Sequence, residues 1–394
     1  MPSSLVHGIL YVAFFLSGAT ALVYQVVWSK YLTLFVGGTS FAHTIVLATF
    51  MGGLAFGNWA FGRLSDRAGW DKLLLYALLE TGVGLLCLTF PTLFVWLSEI
   101  YLAVGSRTGL TSPLNPFLKT GLAVASMFLP CALMGGTLPV LVKYAVESLA
   151  GLGARLSWLY FINTAGAVLG CALGGFYVIE HLGLEFGMVG TSLLNLGIGG
   201  VCYLLYKGAR GSGPTPPPAH LEGGAEAYSR TQARTAFWCI AVAGALSMLY
   251  ELVWVRILVL SIGGTVHSFS TMLIGFIAGI ALGAALAGWL LGRGRNPLAL
   301  FGLCELGIAG AVLIPLSYYE ALPYAFYRLS STLARTPDTY PLHLLLAVVW
   351  AGIVMLVPTT LMGAALPLAT RVGIDQFRTL GRKVGSAFSA NTLG

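Results

Sequence analysis

Tyr24-Gln25-Val26-Val27-Trp28-Ser29-Lys30 returns as Tyr250-Glu251-Leu252-Val253-Trp254-Val255-Arg256, about 226 residues later. Each copy runs on to a Gly-Gly-Thr, at Gly37–Thr39 and Gly263–Thr265. Pro130-Cys131-Ala132-Leu133-Met134-Gly135 with Leu138-Pro139 recurs as Pro358-Thr359-Thr360-Leu361-Met362-Gly363 with Leu366-Pro367. Glu80 in a Glu-x-Gly matches Glu305, and Asn163-Thr164-x-Gly166 matches Asn391-Thr392-x-Gly394. The offset hardly drifts, so the chain is a duplication with few insertions. Two like halves in a membrane are expected to meet along an axis and enclose a cavity between them.

Composition places the halves in lipid. Mean hydropathy is +0.85 and only 9% of residues are charged, too few to cover a water-facing surface. Apolar runs long enough to cross about 30 Å of hydrocarbon recur from end to end. Eleven are read, roughly 8–36, 40–62, 72–101, 117–142, 156–179, 184–206, 236–262, 266–292, 298–327, 342–370 and one beginning near 384. Helices are the expected spanning form, because lipid offers no partner to backbone N–H and C=O groups. The short alternating segments of a barrel are not found. The first run is too long for a cleavable signal peptide and belongs to the repeat.

The expected fold is therefore an all-α integral membrane protein. It comprises a first six-helix repeat over 1–207, a Pro-rich linker over 208–234 with Pro214-Thr215-Pro216-Pro217-Pro218, and a second repeat over 235–394. The second repeat reads as incomplete, because about forty residues follow Gly166 before the first half ends and none follow Gly394. Six spans return a chain to its starting face, so the repeats are parallel, as in the halves of major facilitators. With a cytoplasmic amino terminus, fifteen of the 21 basic residues fall inside, among them Arg63, Arg67, Lys143, Arg234, Arg293 and Arg382. That bias predicts a multi-pass protein of the cell's inner (plasma) membrane and accounts for the net charge of +7 without nucleic acid.

Gly62-Arg63-Leu64-Ser65-Asp66-Arg67-Ala68-Gly69, after the second span, resembles the signature loop between the second and third helices of the major facilitator superfamily. Its glycines allow close helix approach, and Asp66 can accept bonds from a neighbouring helix end or an arginine, gating the cytoplasmic side. A solvated turn is the plainer alternative. The repeat copy, Gly288 to Arg295, has lost the acid.

Taken together, Ala-Leu-Val-Tyr-Gln-Val-Val-Trp, Gly52-Gly53-Leu54-Ala55-x-Gly57, the two Leu-Met-Gly-x-x-Leu-Pro stretches and the paired Asn-Thr-x-Gly segments resemble the membrane portion of fused major-facilitator-like/spermidine synthase proteins. The resemblance covers nearly the whole chain. It implies a soluble aminopropyltransferase domain elsewhere, which would move an aminopropyl group from decarboxylated S-adenosylmethionine to an amine such as putrescine. The present sequence shows no such domain. A Rossmann-like site needs a glycine-rich turn after a strand with an acid about twenty residues on, and neither is found. No catalytic residue, cofactor or metal is expected within these residues. The six cysteines all lie in apolar runs without a C-x-x-C and read as packing residues, and His43, His267 and His343 are scattered.

What remains are polar groups at membrane depth, where a charge costs at least about 2.5–3.5 kcal/mol and must face protein or water. In one reading, Glu251 with Glu80 and Glu305 lines a pathway suited to a small cationic amine. Gln25, Lys30 and Arg256 belong to that pathway, and Tyr24, Trp28, Tyr250 and Trp254 add aromatic faces. In the other, Glu80 and Glu305 accept bonds from backbone or from Lys30 and Arg256, and the aromatics anchor the protein at the lipid boundary. Asn163 and Asn391 read as interhelical hydrogen-bonders. The chain is thus a transporter module, a membrane anchor for an enzyme domain, or an accessory subunit of a larger membrane complex.

Overall fold

The computed structural model describes residues 3–37, 39–67, 69–108, 114–146, 151–210, 228–262, 266–333 and 336–394. Gly38, Ala68, the Gly263–Thr265 motif and the prolines of the linker lie outside the described residues. The described chain is helical throughout, without a strand. Its helices are α1 (Ser3–Val36), α2 (Thr39–Ser65), α3 (Lys72–Thr108), α4 (Asn115–Ala145), α5 (Leu152–Leu173), α6 (Gly183–Arg210), α7 (Arg230–Ile262), α8 (Val266–Gly292), α9 (Pro297–Leu313), α10 (Leu322–Ser330), α11 (Tyr340–Gly373) and α12 (Leu380–Leu393). A wider π-helical stretch, Gly174–Leu182, joins α5 to α6, and 3₁₀ turns flank α10 and α12.

Eight helical stretches among the described residues are long and apolar enough to cross a membrane, against eleven expected from sequence. The difference has two sources. Leu152–Gly208 is one uninterrupted helical stretch of 57 residues, although Gly183, at φ 77°, separates α6 from the π-helical segment that follows α5, so two expected runs count once. At the other extreme, α9 has 17 residues, because the expected 298–327 run breaks at Ile314 into a 3₁₀ turn, and α12 has 14.

Glycines decide which helices meet. A Cβ at Gly57 would stand 1.8 Å from the Ala132 carbonyl oxygen, and one at Gly135 2.2 Å from that of Leu54. These contacts press α2 onto α4. Their repeat mates press α8 onto α11: a Cβ at Gly283 would lie 1.9 Å from the Thr360 oxygen, and one at Gly363 2.2 Å from that of Ile280. The same holds for α1 with α5, through Gly18 against Asn163, and for α7 with α12, through Gly244 against Asn391. Lipid tails are as apolar as leucine, so close backbone packing rather than the hydrophobic effect holds such pairs.

Two further seams cross between the halves. Gly62 and Gly385 bring α2 against α12, where a Cβ at Gly385 would meet the Asn58 oxygen at 2.1 Å. Gly175 brings the π-helical stretch against Ser270 of α8. Pro130, Pro139, Pro358 and Pro367 lie inside α4 and α11 without ending either helix.

Candidate functional site

Where these seams meet, a cavity of about 230 Å³ opens between the halves. Its polar lining comes from six helices: Gln25 of α1, Asn58 of α2, Thr137 of α4, Tyr160, Asn163 and Thr164 of α5, Glu251 of α7, and Asn391 and Thr392 of α12. Leu22, Met134, Phe276 and Phe388 supply apolar walls. Glu251 is the sole charged side chain among the described lining residues, and it is 1% exposed. Its Oε1, Gln25 Nε2 and Asn58 Oδ1 are buried without a hydrogen-bond partner. Leaving a buried polar atom unpaired costs roughly 1–3 kcal/mol, so these three atoms mark a surface that a polar guest would satisfy. Asn163 is tied down: its Nδ2 donates to the Phe14 carbonyl at 3.1 Å, and Asn58 Nδ2 donates to Leu54 at 2.9 Å. The cavity is thus rigid on its amide side and presents one carboxylate.

The other residues singled out from sequence lie elsewhere. Glu80 of α3 is buried inside the first half, where Asn195 Nδ2 of α6 donates to its Oε2 at 2.7 Å. Asn195 Oδ1 in turn accepts from the Tyr24 hydroxyl at 3.2 Å, so α1, α6 and α3 are linked by one polar chain. Neither Lys30 nor the cavity takes part. Glu305, the repeat mate, is half-buried on α9 and lines no cavity described here. Tyr24 stacks on Trp28 at 5.7 Å, and Tyr250 packs edge-on to Trp254 at the same distance. All four are buried in apolar clusters, away both from the cavity lining and from the lipid boundary.

Two contacts between the halves lie along α2 on either side of its cavity-lining residues. At the start of α2, the His43 ring lies flat against Phe269 of α8 at 4.2 Å, and its Nδ1 bonds the Ser29 hydroxyl. His43 and Phe269 are repeat mates, so the halves touch there through equivalent positions. Arg256, exposed, borders a small pocket beside this contact. Lys30 is half-buried near the same end of α1.

At the far end of α2, Asp66 closes the other seam. Its Oδ1 accepts the Gly381 N–H at 3.0 Å and its Oδ2 the Arg382 N–H at 2.8 Å, while Lys143 Nζ of α4 stands 2.9 Å away. Thr379 gives α12 no side-chain cap, so the carboxylate of another half caps that helix and meets its positive end. Gly62 makes the approach possible, since a Cβ there would lie 2.6 Å from the Gly381 oxygen. Arg63 instead stacks on Trp59 at 4.2 Å, and Arg67 is exposed.

Asn58, Lys143 and Asn195 are the functional candidates that the repeat did not point to. Asn58 follows the Gly57 of a quoted motif, and an amide at membrane depth is the signal that would have found it. The chain matches no protein-family model and no curated protein.

Proposed function

We propose that this multi-pass membrane protein is a transporter-like module whose central cavity binds a small cationic amine, with Glu251 as its counter-ion. The observation that carries the reading is Glu251 itself: a buried carboxylate at membrane depth, unpartnered at Oε1, in a cavity whose described lining holds no basic side chain. An intramembrane acid facing a cavity between helices is the expected mark of a cation pathway. The amides of Gln25, Asn58, Asn163 and Asn391 offer carbonyl oxygens to the N–H groups of an ammonium.

In this reading the halves are two parallel major-facilitator-like repeats of six helices that rock about the cavity, with α5 and α6 as separate spans. The matched glycine contacts support it. Asp66 and the His43–Phe269 contact then close opposite sides of the seam, and the basic bias places Asp66 on the cytoplasmic side. The sequence resemblance makes the module the membrane portion of a spermidine-synthase-like protein of the plasma membrane, which adds a reason to expect an amine and an aminopropyltransferase partner domain. Uptake of radiolabelled putrescine into proteoliposomes tests the proposal. Wild type should accumulate label and Glu251→Gln should not. Absence of flux in both, with the protein correctly folded, would instead favour an anchor or accessory subunit.

A further inference from the structure

A second cavity, of about 470 Å³, lies beside the Asp66 clasp, where α2 of the first half meets α7, α11 and α12 of the second. Arg63, Arg234, Arg382 and Lys383 converge on it, with the Thr370 and Ser386 hydroxyls between them. No carboxylate is among the described lining residues. Among the described residues, the two acids of this corner are committed elsewhere: Asp375 pairs with Lys383, and Asp66 holds Lys143 and the two α12 N–H groups. Three guanidinium groups therefore share one cavity without a described counter-charge, which raises their mutual repulsion unless an anion joins them.

Repeat packing does not demand these arginines. The mates of Arg63, Arg234 and Arg382 are Trp289, Gly8 and Ala154, none of them charged. Lys383 alone keeps a basic mate, Arg155, and both of those make structural bonds, Lys383 to Asp375 and Arg155 Nη1 to the Ala145 carbonyl at 2.8 Å. The seam can thus be built without the three arginines, and their presence on one side calls for a ligand.

The remaining wall identifies the kind of ligand. Phe237, Ile240, Ala369 and Ala387 form an apolar side to the same cavity, and exposed Trp59 and Trp238 pack against its Arg63 and Phe237, as aromatic side chains do at headgroup depth. We infer that this cavity binds the phosphate of an anionic phospholipid headgroup, with guanidinium forks on its oxygens and the glycerol end against the apolar wall. A lipid so placed bridges α2 to the second half and adds to the Asp66 clasp.

The test compares purified protein in neutral maltoside detergent with added phosphatidylglycerol, phosphatidylcholine or inorganic phosphate, read as the midpoint of thermal unfolding. Phosphatidylglycerol should raise the midpoint by about 2–4 °C, and the other two should leave it unchanged. The Arg63→Gln/Arg234→Gln/Arg382→Gln variant should lose most of that rise. An equal rise in the variant overturns the site, and an equal rise with inorganic phosphate overturns the lipid in favour of a soluble anion. Should the triple variant not fold, native mass spectrometry of wild type decides: phosphatidylglycerol retained several-fold over phosphatidylcholine supports the inference, and retention at the mixing ratio overturns it.

Discussion

The corner around Asp66 and its repeat mate at the end of α8 are built on the same backbone plan and carry opposite electrostatics. In the first, Asp66 joins Lys143 and the α12 N-terminus. In the second, Gly292 replaces the acid, Arg371 replaces Lys143, and Gly153 of α5 replaces Gly381. The Arg371 stem lies close to Gly153, where a Cβ would meet its Cγ at 3.3 Å. Yet Arg371 is 9% exposed, and its Nη1 is buried with no hydrogen-bond partner. Close packing has been kept in both halves and the clasp in only one. The α2–α12 contact is thus held by charge as well as packing, and the matching α5–α8 contact by packing alone.

The strongest way to break the comparison is to attack what the halves share. Gly57→Leu and Gly283→Leu each force a side chain into a backbone carbonyl less than 2 Å from the new Cβ. Neither α4 nor α11 can yield by that much without separating, so each variant should lose more than about 4 kcal/mol. The expected readout is loss of monodisperse protein on size exclusion for both. A well-folded Gly283→Leu beside a failed Gly57→Leu would show that the second half does not pack as the first does.

The clasp itself comes next. Asp66→Ala removes the only charged partner described for Lys143, which is 9% exposed along its side chain and keeps just the Phe377 carbonyl and ring, and it uncaps α12. Losing one partner of such a pair should cost about 2–4 kcal/mol, read as a lower unfolding midpoint. Gly292→Asp is the converse. A Cβ at Gly292 meets no heavy atom within 4 Å, so the side chain fits and offers Arg371 a carboxylate, for a gain of about 1 kcal/mol. No gain would mean that Arg371 is oriented for something other than a mate of the Asp66 clasp.

How much of this the sequence could say follows from the same contrast. Repeat register and hydropathy are legible along the chain itself, and the all-helical character is of that kind; the approach of Gly18 to Asn163 appears only in the fold. Gln25, Glu251, Asn163 and Asn391 are polar at membrane depth, and the cavity collects all four. Glu80 and the Tyr–Trp pairs were harder to place because α1 and α3 are apolar almost all round, so periodicity does not say which face turns to the axis. Glu80 faces α6 because Asn195 is there, a contact 115 residues away in the chain. The clasp residue Lys143 is visible only once α4 and α2 are side by side.

Asn195 sharpens the comparison at a smaller scale. It serves Glu80 and Tyr24 together, so Asn195→Ala should cost about 1–3 kcal/mol by thermal unfolding. Glu305, the mate of Glu80, is half-exposed and bonds no side chain among the described residues. Glu305→Gln should therefore shift the midpoint by less than about 0.5 kcal/mol. A loss as large as that of Asn195→Ala would place a partner on Glu305 beyond the described residues.

The weakest expected effect lies outside the membrane, in the turn between α11 and α12. There the Lys383 hydrogen bond holds the Asp375 carboxyl below its usual 3.8. A depressed carboxylate stabilises the fold in full above its unfolded value and loses that contribution as pH falls through the folded one. Asp375 is mostly exposed and its pair is screened, so only a few tenths of a kcal/mol are at stake. Unfolding midpoints of wild type and Asp375→Asn should differ slightly at pH 7 and converge as the pH drops below about 4. A difference that persists in acid would mean that Asp375 stabilises the start of α12 through its backbone turn rather than its charge.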